Sequence, residues 1–448
     1  MKNVLIISDS FLSGGLETRL TEQFLAYQRH NIKIYLACES FQDNNRSHLF
    51  EKILTDINFS PKNGCYKAKD ILKSVDNICD FCKKNNIDFI ECQPFWCLIP
   101  ATIVSLQTNI PLSYTLHGTA SGNFIDPIYY EANLLYYLCL SSGTDQIFAV
   151  SERLAKIYNY ISDKIIVSRN NIDLKHLPSR TFQKTGRFAT ASRLDGPKTE
   201  VIINFIPKIY RLKQVKQFDI YGNGDKIEEL KKFITSNHFD DKVNILGWSK
   251  NLIATFINEK YDCVFGVGRI ITDAISSTTP VGILGYGGFA GLINKYNLLD
   301  FAETNFLSWE TFPDDFLKNS ILNLYKNPSE YLFSKQDLSI FDTNKNWNKH
   351  ISLEQNLKPT QKPIIEKIEK LLKNNPNENL LLDTDIIKNL NHILPEQKLI
   401  YSGLLNSLFD ILHAQIIAAE SRTKKLEDSL SWKVTKPLRK ANKFFKKS

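Results

Sequence analysis

Along roughly the first 345 residues, short apolar runs alternate with stretches whose apolar positions recur every three or four residues. The runs at 3–8, 33–38, 88–91, 112–116, 146–150 and 164–167 predict strands. Stretches such as 17–28, 68–84 and 151–160 predict amphipathic helices between them. Strands that alternate with helices pair in parallel through right-handed crossovers, so residues 1–168 predict one open α/β domain. A turn-rich segment follows, with Asn170-Asn171, Pro178-Ser179 and Thr185-Gly186. The pattern then restarts, with strands predicted at 188–191, 217–221, 243–246, 263–267 and 281–284 and helices at 200–213, 226–236 and 272–277. Residues 169–345 therefore predict a second α/β domain.

After about residue 355 the strand pattern stops. Segments 363–373, 383–394 and 397–430 predict helices, so 346–448 reads as a helical extension. Pro363 suits a first helical position, where its missing N–H costs nothing. Pro376 and Pro395 separate the three helices. Leu404, Leu405, Leu408, Ile411, Leu412, Ile416 and Ile417 give the last of them one face to hide.

Composition narrows the class. A chain of 448 residues that is 43% hydrophobic and 23% charged is ordinary for a folded protein of several domains. It contains no apolar run of membrane-spanning length. The apolar stretch after Met1-Lys2-Asn3 is too short for a signal-peptide core, which predicts a cytoplasmic protein. The net charge of +8 is concentrated: seven cations and no acid lie in 433–448, which leaves the body near neutral and speaks against nucleic-acid binding. The eight cysteines make no disulfide framework. Cys79 and Cys82 share one face of a predicted helix and read as small buried side chains rather than half a zinc site. Asp383-Thr384-Asp385 has the look of a metal-binding pair but stands where a helix needs an N-cap.

Four segments carry candidate chemistry. Gly14-Gly15 and Gly222-Asn223-Gly224 each follow a predicted strand. Glycine there permits a tight turn and close backbone approach to a phosphate, which the next helix's free N–H groups can bind. Arg193 and Lys198 share the loop after strand 188–191 and would face the cleft at the sheet's carboxyl edge; two solvated surface cations are the alternative. In Gly266-Val267-Gly268-Arg269 a strand turns into a helix, and Asp273 is predicted within about its first turn. That carboxylate could accept hydrogen bonds from a sugar diol while Gly268 offers its N–H; the alternative is that Asp273 only complements the helix dipole. No full G-x-G-x-x-G is present, which weakens a dehydrogenase reading.

Together these segments resemble the family 4 glycosyltransferases of GT-B fold. Gly14-Gly15-Leu16-Glu17, His117-Gly118, Asp145–Glu152, Asn170-Asn171-Ile172-Asp173, Ser192–Lys198, Ile220–Gly224, Ile245-Leu246-Gly247 and Asp273–Val281 look like its motifs, in order, over residues 1–345. The resemblance implies two Rossmann-like domains facing a central cleft. It implies His117 near the donor sugar, an Arg193–Lys198 phosphate clamp, further phosphate contacts from Gly14, Gly15, Gly222, Gly268 and Arg269, and ribose or base contacts from Asp273, Gly247 and Trp248. Of the family's usual two glutamates, the second is here Asp273 and the first falls on Phe265, while Gly266-Val267-Gly268-Arg269 looks like a G-x-G-R variant.

The implied activity is metal-independent, retaining transfer of a sugar from a nucleotide-sugar co-substrate to a glycan or lipid-linked acceptor of bacterial surface polysaccharide, with no cofactor. Phe265 motivates an alternative, a nucleotide-sugar-binding scaffold without catalysis. The segment 429–439 is similar to the ends of bacterial polysaccharide glycosyltransferases. With Trp432, Phe444 and Phe445 among its cations, 431–448 suits contact with an anionic membrane surface. A solvated tail or a protein-docking segment is the alternative.

Overall fold

The computed structural model describes residues 1–380 except 12–13, 43, 62–64, 119–129, 160–161, 163–164 and 311. Ser13, the segments 383–394 and 397–430, Asp383-Thr384-Asp385 and the basic segment 431–448 lie outside the described residues.

The first domain alternates β1 (Asn3–Phe11), α1 (Gly15–Arg29), β2 (Lys33–Phe41), β3 (Lys52–Leu54), α2 (Ala68–Asn85), β4 (Phe89–Cys92), α3 (Leu98–Thr108), β5 (Leu112–Leu116), α4 (Tyr130–Gly143), β6 (Gln146–Ala149), α5 (Glu152–Tyr158) and β7 (Ile165–Val167). Its seven strands are all parallel, in the order β3-β2-β1-β4-β5-β6-β7. Val4, Leu5, Ile6 and Ile7 of the central β1 are fully buried, because helices cover both faces of a parallel sheet.

The second domain runs β8 (Arg187–Ala191), α6 (Gly196–Tyr210), β9 (Gln217–Tyr221), α7 (Ile227–Ser236), β10 (Val243–Gly247), α8 (Leu252–Glu259), β11 (Cys263–Gly266), α9 (Arg269–Ser276), β12 (Val281–Gly285), β13 (Gly288–Ile293), α10 (Leu298–Glu303) and α11 (Asp314–Lys326). Its sheet has the order β10-β9-β8-β11-β12-β13, parallel except for the β12–β13 hairpin. In both sheets the chain reverses direction across its first strand, β1 or β8. That is where a doubly wound sheet opens a crevice at its carboxyl edge.

The extension predicted from residue 346 is not a separate unit over its described part. Helices α12 (Thr343–Gln355) and α13 (Pro363–Asn374) return to the first domain. Trp347 and Ile351 bury in one cluster with Val4, Ile6, Leu20 and Phe24. Ile365, Ile368 and Leu372 bury with residues of α2, α3 and α4. The periodic pattern identified α13 without saying what its apolar face covers, and it predicted no helix over α12. Asp145, the first residue of the Asp145–Glu152 segment, serves this return: it accepts hydrogen bonds from Thr360 and from the Lys362 ammonium at 2.9 and 3.1 Å, and Asp145 and Lys362 are both buried. No described helix is long and apolar enough to cross a membrane.

Candidate functional site

A cleft of about 490 Å³ lies between the carboxyl edges of the two sheets. The first domain lines it with Gly14, Gly15 and Glu17 after β1, Pro94 and Phe95 after β4, and His117 after β5. The second contributes Arg193 and Lys198 after β8, Gly222 after β9, Trp248 after β10, Arg269 after β11 and Tyr286 after β12. Eight of the eleven residues singled out from sequence thus share one wall system. Gly247, Gly268 and Asp273 do not line it.

The β8–α6 loop presents its two cations to either side of Asp195, with nitrogen–oxygen separations of 3.5 Å from Arg193 and 3.9 Å from Lys198. Burial, and then the neighbouring Arg193 charge, hold the Lys198 ammonium below its usual range. The loop is held from behind by the Gly222 turn. A Cβ on Gly222 would stand 1.9 Å from the Ser192 carbonyl oxygen, so only glycine permits this approach. Gly247, at φ 74°, supplies the carbonyl that accepts from the Gly222 N–H at 2.8 Å.

The β11–α9 turn departs from expectation. The helix predicted at 272–277 begins three residues earlier, at Arg269, after Gly268 turns the chain at φ 55°. Asp273 therefore falls in the second turn, where it accepts from Arg269 Nε at 2.7 Å across one helical turn. It is 6% exposed and is occupied by the arginine. The same guanidinium reaches across the cleft to Glu22 of α1. Burial opposes its charge, but Asp273 and Glu22 on either side hold Arg269 above its usual range. Its Nη1 is buried and makes no hydrogen bond. Phe265 is fully buried between the rings of Phe188, Phe205 and Phe289.

On the opposite wall, His117 Nε2 lies 2.7 Å from Gln93 Oε1, and Gln93 Nε2 donates to Glu91 Oε1 at 2.7 Å. Burial, with Arg19 nearby, holds the imidazole well below its usual range, so it is neutral at pH 7. Glu91 lies near Glu354 of α12, with Tyr27 hydroxyl between them at 3.1 and 2.6 Å. Two acids in one dry network cannot both ionise cheaply. Burial and then the Glu354 charge push Glu91 up to about 7, and burial pushes Glu354 up to about 8, whereas burial pulls His350 down to about 3. These carboxyl groups and His350 are also the one set of grouped metal-type ligands among the described residues. Their facing atoms are already bonded to Tyr27, Gln23, Ser113 and Ser168.

A pH dependence follows. A carboxyl raised on folding stabilises the protein while protonated, and that contribution is lost as pH rises through its folded value. His350, depressed on folding, contributes its full share above about 6.5. Between pH 6.5 and 7.5, below the range in which the raised cysteines add their own loss, the two carboxyls dominate, so urea denaturation is expected to show stability falling by about 1–2 kcal/mol. Glu354→Gln should flatten that fall; an equally steep fall in the variant would show that Glu354 is not responsible.

Several residues of the site were not evident from sequence. Glu22 sits mid-helix without a motif. Asp9, raised to about 6 by burial, accepts from the Phe95, Trp96 and Cys97 N–H groups and fixes the loop that brings Phe95 to the cleft. Its signal was its place just after the first apolar run. The cysteines behave as predicted: Cys79 and Cys82 are free and buried, and burial raises them to about 11 and about 12.

No protein-family model and no curated protein matches the chain. Solved structures do. Anabaena HepE in complex with UDP is 17% identical, with a TM-score of 0.60 over 79% of this chain and 99% of its own. A complex of HepE with UDP-glucose has also been solved. S. aureus TarM, in a complex that includes UDP, is 12% identical at TM-score 0.58 over 79% of this chain and 99% of its own. The lipopolysaccharide outer core galactosyltransferase WaaB is 14% identical at TM-score 0.53 over 78% of this chain and 99% of its own. The chain has the GT-B fold of these enzymes: two Rossmann-like domains that face one cleft.

Proposed function

We propose that the protein is a family 4-like glycosyltransferase that takes its sugar from a nucleotide-sugar donor. The observation that carries this reading is the meeting of Arg193, Lys198 and Arg269 with two glycine turns at the carboxyl edges of both sheets. Three cations and aligned N–H groups are what a departing diphosphate requires. In this reading Arg193 and Lys198 clamp the diphosphate, and Arg269 Nη1 with the Gly14–Gly15 turn receives its other side. Trp248, half exposed on the wall, offers a ring face to the base. Asp273 acts by holding Arg269. His117 faces the donor sugar. The acceptor is a glycan or lipid-linked glycan of bacterial surface polysaccharide, which attacks from the face the diphosphate leaves, with retention. The cations do the work a metal would otherwise do. The basic segment 431–448 would attract the enzyme to an anionic membrane surface at the inner face of the cell membrane.

Burial of Phe265 among rings favours a second reading, a nucleotide-sugar-binding scaffold, because no acid from the end of β11 reaches the cleft. HepE and WaaB suggest UDP-glucose and UDP-galactose as the first donors to test. At 100 times the dissociation constant a donor should add about 2.7 kcal/mol of stability and raise the melting temperature by several degrees. Transfer to acceptor extract should then proceed in EDTA. Absence of any shift with nucleotide sugars or nucleoside diphosphates overturns the donor reading; binding without turnover selects the scaffold.

A further inference from the structure

Glu91 and Gln93 lie at the end of β4, behind the cleft wall, and are fully buried. The Gln93 main chain is pinned, since its N–H donates to the Ile7 carbonyl at 2.8 Å and its carbonyl accepts from Cys97 Sγ at 3.1 Å. Only its amide can choose a direction. Glu91 makes that choice. Its Oε2 accepts from Gln23 Nε2 at 2.5 Å and Tyr27 hydroxyl at 3.1 Å; its Oε1 accepts from Thr115 hydroxyl at 3.3 Å and Gln93 Nε2 at 2.7 Å. At pH 8, above its raised value of about 7, Glu91 is ionised; a carboxylate accepts and never donates, so it requires the NH2 side of the Gln93 amide. The amide oxygen is then the atom left facing His117 Nε2, and an oxygen there requires a proton on that nitrogen. In a neutral imidazole the other nitrogen, Nδ1, then holds the lone pair.

We propose that Glu91 and Gln93 are positioning residues that fix His117 as its Nε2–H tautomer and so hold the cleft-lining imidazole in one donor–acceptor sense. The kcat readout below rests on the glycosyltransferase reading; the tautomer does not. Inverting the amide would set its oxygen against Glu91 and its NH2 against Nε2, which would exchange donor for acceptor at the ring.

The test uses the full chain with 15N-labelled histidine and no ligand, at pH 8. Long-range 1H–15N spectra, with the His117 signal assigned by its loss in His117→Asn, are expected to show the Nε2–H form alone. Gln93→Met removes the acceptor and Glu91→Gln removes the requirement for a donor, so each should give a mixture of tautomers. Each should also lower kcat with UDP-glucose by roughly ten- to a hundredfold, the range for losing a partner that orients a functional histidine. The dissociation constant for UDP, which lacks the sugar, should stay within about twofold, which also shows that the variants fold. An Nδ1–H form in the wild type overturns the proposal. A pure Nε2–H form in either variant overturns the role of that residue. If UDP and its sugars do not bind the wild type, the glycosyltransferase reading fails while the tautomer result stands by itself.

Discussion

Replacing both Arg193 and Lys198 by alanine is expected to weaken binding of a nucleoside diphosphate by roughly a hundred- to ten-thousandfold. Each charge-assisted contact contributes about 1.5–3 kcal/mol, and 1.4 kcal/mol is a factor of ten. The fold should survive, because the Arg193 side chain is 62% exposed and the nearest anion to both groups is only the neighbouring Asp195. Calorimetric titration with UDP decides the matter, and pyrophosphate should lose as much as UDP because the clamp meets only the phosphates. Unchanged affinity in the double variant would remove the phosphate assignment from this loop.

Arg269→Ala should be costly in two separate ways. It leaves Glu22 and Asp273, whose side chains are 24% and 8% exposed, without the cation between them. Removing one partner of a buried pair costs about 3–5 kcal/mol; the partial exposure of Glu22 places this case toward the lower figure. It also removes the buried, unbonded Nη1 of a residue whose Cβ stands beside Gly15 of the first domain, so diphosphate affinity should fall by roughly ten- to a hundredfold. The double variant Arg269→Ala/Asp273→Asn separates the two effects. Stability measured by urea should partly return because one orphaned charge is gone, while affinity should not. Recovery of affinity together with stability would mean that Arg269 acts only through the fold.

The two α/β domains were legible because parallel strands are buried on both faces and appear as continuous apolar runs such as Val4-Leu5-Ile6-Ile7. Helix α3 was not, since Leu98 to Ser105 is buried all round and lacks a polar face to give it a period. The edge strand β3 has only three residues, and in the antiparallel β13 Gly288 and Gly291 interrupt the apolar run. For the site, the glycine turns and paired cations could be read because their chemistry is local to one loop. Glu22, Glu91 and Gln93 could not, because their partners are far away in sequence. Asp273 marks the limit of motif transfer: the position was right, but a three-residue error in the helix start hid its pairing with Arg269.

The return of α12 and α13 has a consequence for synthesis of the chain. The first domain's hydrophobic interior is closed by Trp347, Ile351, Ile365, Ile368 and Leu372, which emerge about two hundred residues after its last strand. At ribosomal speeds of about 5–20 residues per second, the surfaces of α1 to α4 wait roughly 10–40 s for their cover. During that interval the second domain, continuous in sequence from β8 to α11, is free to fold first. The usual order, in which the amino-terminal domain finishes before the next begins, is thus inverted. An amino-terminal fragment ending near residue 168 would keep that apolar surface open to chaperones and to other nascent copies.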